Sequence, residues 1–233
     1  MICHRNKLIF IHLPKCAGTS IEMALTGESW HRGESQREQH LTAAETRESY
    51  GDDIFASYFK FAIVRNPWDL LIAYYLWGCW GLRGHVDTSL RGRLTRYFGR
   101  TRAWGHPFRD VGPEFASHPT LMEYLDNSEQ FNKELGFSAS GTDLSQQRAA
   151  ISIDGKLAVD YVGKFENLDD DFKKICKKAG IKAVQLPHRL KSSRSRHYSQ
   201  FYSKETREIV QCKYIADIEA FNYVFEDFHG SRW

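Results

Sequence analysis

The first third of the chain alternates short apolar runs with segments of helical spacing. The apolar run over residues 7–12 ends just before Pro14 and is typical of a buried parallel strand. Residues 18–25 have the spacing of a helix, so residues 13–17 are predicted to form a strand-to-helix loop. A second apolar run over residues 59–64 predicts a second strand of the same kind.

Helix signals follow both of these strands. Thr42 is a predicted N-cap, and Glu45 completes a capping box for the helix that begins after it. After the second strand, Asn66 can cap a helix and Pro67 can occupy its first position. The apolar run over residues 70–82 predicts that this helix is buried, because a membrane span needs about 20 such residues.

The later part of the chain begins with a break in this pattern. From Gly78 to about Pro119, glycine, arginine and aromatic residues predict an irregular or small helical insert. Residues 149–165, interrupted at Asp154 and Gly155, predict a β-hairpin. The remaining predicted segments are a helix over residues 169–179, a basic loop over residues 186–198 and an amphipathic helix over residues 204–221.

The order of these elements indicates the fold class. Strand–loop–helix units occur near both ends of the chain, and neither an internal repeat nor a domain linker interrupts them. We therefore expect one α/β domain over residues 1–233, with three α/β/α layers around a mainly parallel central sheet. An acceptor-side insert is expected at about residues 78–118.

The composition fits this fold, and the charge distribution adds a functional signal. Of 233 residues, 42% are hydrophobic and 26% are charged, which excludes a disordered tail, a collagen-like fibre and a low-complexity scaffold. The net charge is only +3, yet residues 172–204 carry ten Lys or Arg and no acidic residue, and residues 83–109 carry seven Arg. Such segments are either solvated surface or attract a phosphate, a sulfate, a nucleic acid or an acidic polymer.

The cysteines and histidines argue against a disulfide framework and a metal centre. The five cysteines are an odd number without a CxxC pair, and the ten histidines show neither HxxxH nor HExxH spacing. The first apolar run is too short for a signal peptide. We expect reduced thiols, no metal and a cytoplasmic protein without a membrane anchor.

The loop over residues 13–17 carries the strongest chemical signal. A loop between a strand and a helix directs free backbone N–H groups at whatever lies above the sheet. Lys15 adds a positive charge, Gly18 permits close approach of the backbone, and Thr19 and Ser20 add hydroxyl donors. These residues predict an anion-binding loop, although the same Gly-Thr-Ser can simply start a helix.

The loop differs from the phosphate-binding loop of kinases. There a lysine directly precedes the hydroxyl residue that holds Mg²⁺. Here Lys15 lies three residues before Gly18, and no lysine follows that glycine. The loop therefore suits a phosphate-bearing donor better than a Mg²⁺-bound triphosphate.

Two motifs in the expected order resemble those of sulfotransferases, which take sulfuryl groups from 3′-phosphoadenosine 5′-phosphosulfate (PAPS). Residues 14–20 resemble their 5′-phosphosulfate loop, and residues 61–69 resemble their 3′-phosphate motif. Segments over residues 162–168, 186–188 and 217–223 are similar to the carbohydrate-type and bacterial branch. The resemblance extends from residue 7 to about residue 228, is weakest between 78 and 145, and implies a P-loop-like sulfotransferase fold in a bacterial protein.

The resemblance implies roles for the matching residues. Lys15 would hold the 5′-phosphosulfate and offset charge on the bridging oxygen as the sulfuryl group departs. Arg65 would bind the 3′-phosphate through its planar fork, the alternative being a surface salt bridge. The implied donor-binding residues are Lys15, Cys16, Ala17, Gly18, Thr19, Ser20 and Arg65, with Lys191, Ser192 and Arg194 of the basic loop. For that loop, a merely solvated surface is the alternative.

The chain departs from the family pattern at two positions after Arg65. The family usually places a serine eight residues after this arginine, where this chain has Ala73. It also usually places an arginine after the aspartate of the motif, where this chain has Leu70. The two departures remove one hydroxyl donor and one positive charge near the expected donor site.

Transfer to an alcohol needs a base that takes the hydroxyl proton, and His40 is the best candidate. It precedes a capped helix and lies 25 residues before Arg65, and related glycan 2-O-sulfotransferases carry a catalytic histidine at a similar location. An imidazole also needs little tuning to act near neutral pH. The alternatives are a packing histidine at position 40 and Glu38 as the base, whereas His12 is interpreted as a core residue at a strand end.

The sequence thus predicts a PAPS-dependent O-sulfotransferase. In-line displacement would move the sulfuryl group to a hydroxyl of a sugar or another hydroxylated acceptor and leave 3′-phosphoadenosine 5′-phosphate (PAP), without a metal. The arginines of residues 83–109 favour an acidic acceptor, and no nucleic-acid partner or membrane span is expected. A nucleotide or small-molecule kinase and a non-catalytic binder of nucleotides or acidic glycans are the alternatives, and the oligomeric state stays open.

Overall fold

The structure is a computed structural model, and it describes residues 1–27, 40–83, 121–126, 142–182, 185–187 and 197–227. The strands in these ranges are β1 (Ile2–Cys3), β2 (Leu8–Ile11), β3 (Phe59–Val64), β4 (Ser152–Ile153), β5 (Lys156–Leu157) and β6 (Tyr161–Lys164). Four of them form the central sheet in the order β1-β2-β3-β6. The neighbours β2, β3 and β6 are parallel, and β1 is an antiparallel edge strand.

Helices surround this sheet, and the predicted α/β fold with a mainly parallel central sheet is confirmed. The helices in the described ranges are α1 (Gly18–Thr26), α2 (Ala43–Tyr50), α3 (Asp52–Ser57), α4 (Pro67–Arg83), α5 (Leu121–Asp126), α6 (Gln147–Ala150), α7 (Leu168–Lys178), α8 (Lys204–Lys213) and α9 (Ile215–Phe221). None of the helices in these ranges has both the length and the apolar character that crossing a membrane requires.

The two central strands are almost inaccessible to solvent, because parallel strands are covered on both faces. Every residue of β2 is at most 1% exposed, and residues 61–64 of β3 are fully buried. Ile11 pairs with Ala62, so the two strands end at the same edge of the sheet. The residues that follow them, including Lys15 and Arg65, therefore meet at this edge, where α/β proteins commonly bind ligands.

The predicted helix starts are confirmed where the signal is local. Thr42 Oγ1 accepts a hydrogen bond from the Glu45 amide at 3.2 Å, and Glu45 Oε2 accepts one from the Thr42 amide at 2.7 Å. This reciprocal pair is the predicted capping box. Asn66 Oδ1 accepts a hydrogen bond from the Trp68 amide at 3.1 Å and so caps α4.

The hairpin predicted over residues 149–165 is wrong in its second half. A short hairpin does form, with β4 and β5 joined through the left-handed Asp154 and Gly155. The following β6 leaves this hairpin and pairs in parallel with β3, with Phe61 opposite Tyr161. Its apolar residues pack in the central sheet. This contact joins distant parts of the chain, so the local sequence pattern does not reveal it.

The single helix predicted over residues 204–221 is also wrong, because it is divided at Tyr214. This residue leaves the helical conformation at φ −112° and ψ 24°. The break buries the Tyr214 ring, and its hydroxyl lies 3.1 Å from Ser145 Oγ. In the predicted insert, α4 continues to Arg83, and residues 84–120 lie outside the described part of the chain.

Candidate functional site

The loop between β2 and α1 is built around two left-handed residues. Lys15 has a φ of 63° and Ala17 a φ of 64°, a conformation that costs a non-glycine residue about 1–2 kcal/mol. Left-handed residues in a turn direct successive backbone N–H groups towards one concave face, which attracts anions. The loop therefore holds a strained backbone in an arrangement suited to a negatively charged group.

The amides of Ala17 and Gly18 donate to no acceptor among the described residues. In contrast, the Cys16 amide makes a long contact of 3.4 Å with the Leu13 carbonyl, and the Ser20 amide donates to the Ala17 carbonyl at 3.0 Å. Ala17 and Gly18 also lie at the amino end of α1, where the helix dipole is positive. Of the predicted cradle over residues 16–20, these two N–H groups are therefore the clearest candidates to meet a ligand.

The Lys15 side chain brings a positive charge to the same loop. It is partly exposed, and both burial and the nearby Arg65 guanidinium lower the pKa of Lys15 to about 8. The ammonium group is consequently still mostly protonated at neutral pH. A lysine that titrates this close to neutrality is sensitive to an arriving anion, which would stabilise its charged form.

The Cys16 side chain is buried in the core and takes no part in the anion-binding loop. It is fully buried, and burial raises the pKa of the Cys16 thiol to about 12. Its sulfur lies 3.7 Å from Gln147 Oε1. Cys16 is therefore a protonated packing residue, and only its backbone belongs to the loop.

Arg65 is held tightly at the end of β3. Its Nε donates to Asp69 Oδ2 at 2.8 Å, its Nη2 lies 2.8 Å from the same oxygen in an ion pair, and its Nη1 donates to the Lys15 carbonyl at 2.9 Å. The guanidinium carbon lies 4.1 Å from the centre of the Phe165 ring. With 8% of the residue exposed, this ion pair is buried rather than superficial. Two of the five guanidinium N–H groups have no acceptor in the described part of the chain.

Gln147 supports Arg65 and was not recognised in the sequence. Its Oε1 accepts from the Arg65 amide at 2.7 Å, and its Nε2 donates to the Arg65 carbonyl at 2.8 Å. The backbone N–H of Gln147 donates to Asp217 Oδ2 at 3.0 Å, and burial raises the pKa of Asp217 to about 6. Of Gln147 and Asp217, only Asp217 lies in a segment, residues 217–223, that the sequence analysis identified. No local signal marks Gln147, because its partner lies 82 positions away.

Replacing Gln147 by alanine is expected to lower the free energy of unfolding by about 2–6 kcal/mol. The change leaves a buried N–H and a buried carbonyl of Arg65 without partners, at about 1–3 kcal/mol each. Urea unfolding followed by circular dichroism measures the loss. The matched control is Gln146→Ala, because Gln146 is exposed and its side chain does not cap α6. Equal losses in both variants would contradict the role assigned to Gln147.

His40 is oriented by the carbonyl of His12. Its Nδ1 lies 3.2 Å from this oxygen. Because a carbonyl only accepts hydrogen bonds, Nδ1 carries the proton and Nε2 keeps its lone pair. Burial, with the adjacent His12, lowers the pKa of His40 to about 4. The His40 imidazole is therefore neutral at pH 7, with Nε2 as its basic atom.

His12 is buried, as expected of a core residue at a strand end, and it contacts both α1 and His40. Its Nδ1 lies 2.9 Å from Glu22 Oε1, and its ring centroid lies 4.5 Å from that of His40. A Cβ atom added to Gly18 would lie 1.7 Å from His12 Nε2. Position 18 thus requires glycine because the imidazole occupies the space of a side chain.

Several predicted residues lie outside the described residues, and their roles stay predictions. They are Lys191, Ser192 and Arg194 of the basic loop and the alternative base Glu38. The two departures from the expected pattern are described: Leu70 is 2% exposed and packs in the core, and Ala73 is half-buried on α4.

Comparison with known proteins gives one match, to the model of a protein family. A model described as "Sulfotransferase family" matches residues 1–224, which include the loop after β2, Arg65 and the Asp217 segment. No curated protein and no solved structure matches the chain.

Proposed function

The chain belongs to the sulfotransferase family, and on this premise we propose that it transfers a sulfuryl group from PAPS to a hydroxyl of a sugar or another hydroxylated acceptor. The loop after β2 carries the proposal. There the Lys15 ammonium and the open amides of Ala17 and Gly18 share the amino end of α1. This combination suits the 5′-phosphosulfate of the donor, which is compact and negatively charged.

Arg65 has two tasks in this scheme. Through its bond to the Lys15 carbonyl it fixes the left-handed loop, and its remaining N–H groups are offered to the 3′-phosphate. A guanidinium held by Asp69 and stacked on Phe165 needs little reorganisation when the donor binds. The proposed donor site therefore joins the ends of β2 and β3.

Sulfuryl transfer in this site is an in-line displacement. The acceptor oxygen forms a bond to sulfur while the bond between sulfur and the bridging oxygen breaks, and PAP leaves with the electron pair. Lys15 offsets the charge that develops on this bridging oxygen. His40 Nε2 takes the acceptor proton, which becomes strongly acidic as its oxygen bonds to sulfur. A neutral imidazole of low pKa is thus a sufficient base.

An acidic carbohydrate is the acceptor that the charge distribution favours. Seven arginines lie in residues 83–109 against one aspartate, Asp87. Long-range attraction by such a segment raises the encounter rate with a polyanion. The similarity of several motifs to the carbohydrate-type branch supports the same acceptor class.

Titration calorimetry with PAP, followed by transfer assays with labelled PAPS, tests the proposal. The acceptors are glucose, phenol and an unsulfated uronic-acid polymer, and a parallel assay supplies ATP and Mg²⁺. We expect PAP binding and label transfer to a hydroxylated acceptor. Failure to bind PAP would overturn the proposal, and turnover of ATP without PAPS would indicate a kinase. Tight PAP binding without any PAPS turnover would indicate a binding protein.

Affinity for PAP is expected to weaken as the pH rises through about 8. The pKa of Lys15 is lowered to about 8, so above this value the free protein loses the positive charge that PAP requires. Binding then takes up a proton, and the dissociation constant rises by about tenfold per pH unit. Calorimetry between pH 7 and pH 9.5 measures this slope. Lys15→Arg is the control, because arginine stays charged, and an equal decline in that variant would exclude Lys15 as the cause.

A further inference from the structure

Glu22 is a buried carboxylate that the proposed donor site does not use. It is 5% exposed on α1, and its Oε1 is bound by His12 Nδ1 at 2.9 Å. Its Oε2 is buried without a hydrogen-bond partner in the described residues. A buried carboxylate oxygen of this kind is costly, so its presence calls for a compensating role.

His12 connects this carboxylate to the candidate base. Its ring is bound to Glu22 on one side and lies edge-on to the His40 ring, with 63° between the planes. Its carbonyl accepts the proton of His40 Nδ1. His12 also stacks on Phe10 at a centroid distance of 5.4 Å, which fixes the imidazole plane. One residue thus fixes both the tautomer and the surroundings of His40.

We propose that Glu22 and His12 form a positioning pair for the transfer reaction, in which His12 orients His40 and Glu22 supplies the negative charge that balances the imidazolium formed on His40. The inference rests on the proposed function, because it requires His40 to take the acceptor proton. Neither residue contacts the reacting atoms in this scheme. Their contribution passes through His40, as the aspartate of a Ser-His-Asp triad acts through its histidine.

The electrostatics of the cluster agree with this division of roles. Burial and the adjacent His12 lower the pKa of His40, whereas the hydrogen bond to the His12 carbonyl and the nearby Glu22 charge act in the opposite direction. Among the described residues, Glu22 is the acidic group whose charge acts on His40, so it would compensate a proton transferred to this half-buried imidazole. Glu22 becomes more stabilising as the proton moves, which is the condition for lowering a reaction barrier.

A purely structural pair makes a different prediction. His12 also fills the space beside Gly18, and on this alternative the pair serves only to keep the conformation of the loop. In that case, loss of the Glu22 charge would weaken PAP binding and lower stability, and it would not affect the proton-transfer step.

Glu22→Gln separates these two roles, because it keeps an oxygen for His12 Nδ1 and removes the charge. The rate of PAP formation from PAPS, with the acceptor panel present, counts transfer to any acceptor or to water. We expect an about 10- to 100-fold lower rate, as for other supporting residues behind a reacting group. PAP affinity should stay within about twofold. Glu22→Asp keeps the charge and should retain most of the activity, and Glu48→Gln is the control on the exposed face of α2.

Combination with His40→Ala completes the test. If Glu22 acts through His40, Glu22→Gln has less than about a twofold further effect in that background. Equal losses in both backgrounds, equal losses for the Gln and Asp variants, or a loss confined to PAP affinity would each overturn the inference. Full activity of His40→Ala alone would instead overturn the base assigned in the proposed function, and the positioning pair with it.

Discussion

Replacing His40 by alanine is expected to slow sulfuryl transfer about 10²- to 10⁴-fold while affinity for PAP stays within about twofold. The imidazole contacts the carbonyl and the ring of His12, and no described contact joins it to the loop amides. Its removal should therefore affect the proton-transfer step rather than donor binding. Single-turnover formation of PAP measures the first quantity, and calorimetry measures the second.

The matched control for this variant is His4→Ala. His4 is exposed, bonds to the Tyr58 hydroxyl at 2.9 Å and precedes the opposite end of β2, so its loss should leave transfer unchanged. Since the pKa of His40 is about 4, protonation of this base should slow the wild-type reaction only below about pH 5. A His40→Ala protein with full turnover would transfer the role to another group, such as Glu38.

The parts of the fold that depend on local patterns were predictable from the sequence. β3 was predicted over the residues it occupies, because a strand covered on both faces is a continuous apolar run. The capping box of Thr42 and Glu45 was predictable because its hydrogen bonds span only three positions. The loop between β2 and α1 follows from the same reasoning, since it joins two elements that were both recognised.

The rest depends on contacts between distant parts of the chain. The partner of β6 is β3, about a hundred positions earlier, whereas the sequence pattern favoured the adjacent hairpin. Gln147 matches Arg65 through both of its amide atoms, a pairing that exists only after the sheet has formed. The break at Tyr214 likewise occurs without a helix-breaking residue and coincides with the contact between its hydroxyl and Ser145 Oγ, 69 positions away.

At Gly18 the sequence identified an important residue, but the structure gives a different physical reason for its importance. The sequence assigned this glycine to close approach of a ligand, and the structure shows that the His12 ring occupies the space of its missing side chain. The two reasons are compatible, because the same residue presents an open amide to the concave face of the loop. A methyl group at this position would weaken ligand binding for the first reason, and it would destabilise the fold for the second.

Gly18→Ala is expected to lower the free energy of unfolding by about 3 kcal/mol, at the upper end of the usual cost of overpacking. The new Cβ would lie 1.7 Å from His12 Nε2 and 2.1 Å from Cδ2. The ring is held by Glu22 and stacked on Phe10, so it has little room to retreat. A glycine-to-alanine change at the start of a helix would otherwise be neutral or stabilising. The sign of the effect therefore reports the clash directly.

A double-mutant cycle with His12→Ala identifies the cause of this loss. Without the imidazole the clash disappears, so Gly18→Ala should cost less than about 1 kcal/mol in the His12→Ala background, as measured by urea unfolding. Gly27→Ala at the end of α1 is the control, because its φ of 78° is strained for alanine while no atom lies within 4 Å of the added Cβ. Equal losses in both His12 backgrounds would show that another contact limits position 18. A loss of PAP affinity that persists in the double variant would separate ligand approach from packing, because only the ligand still meets the added methyl group.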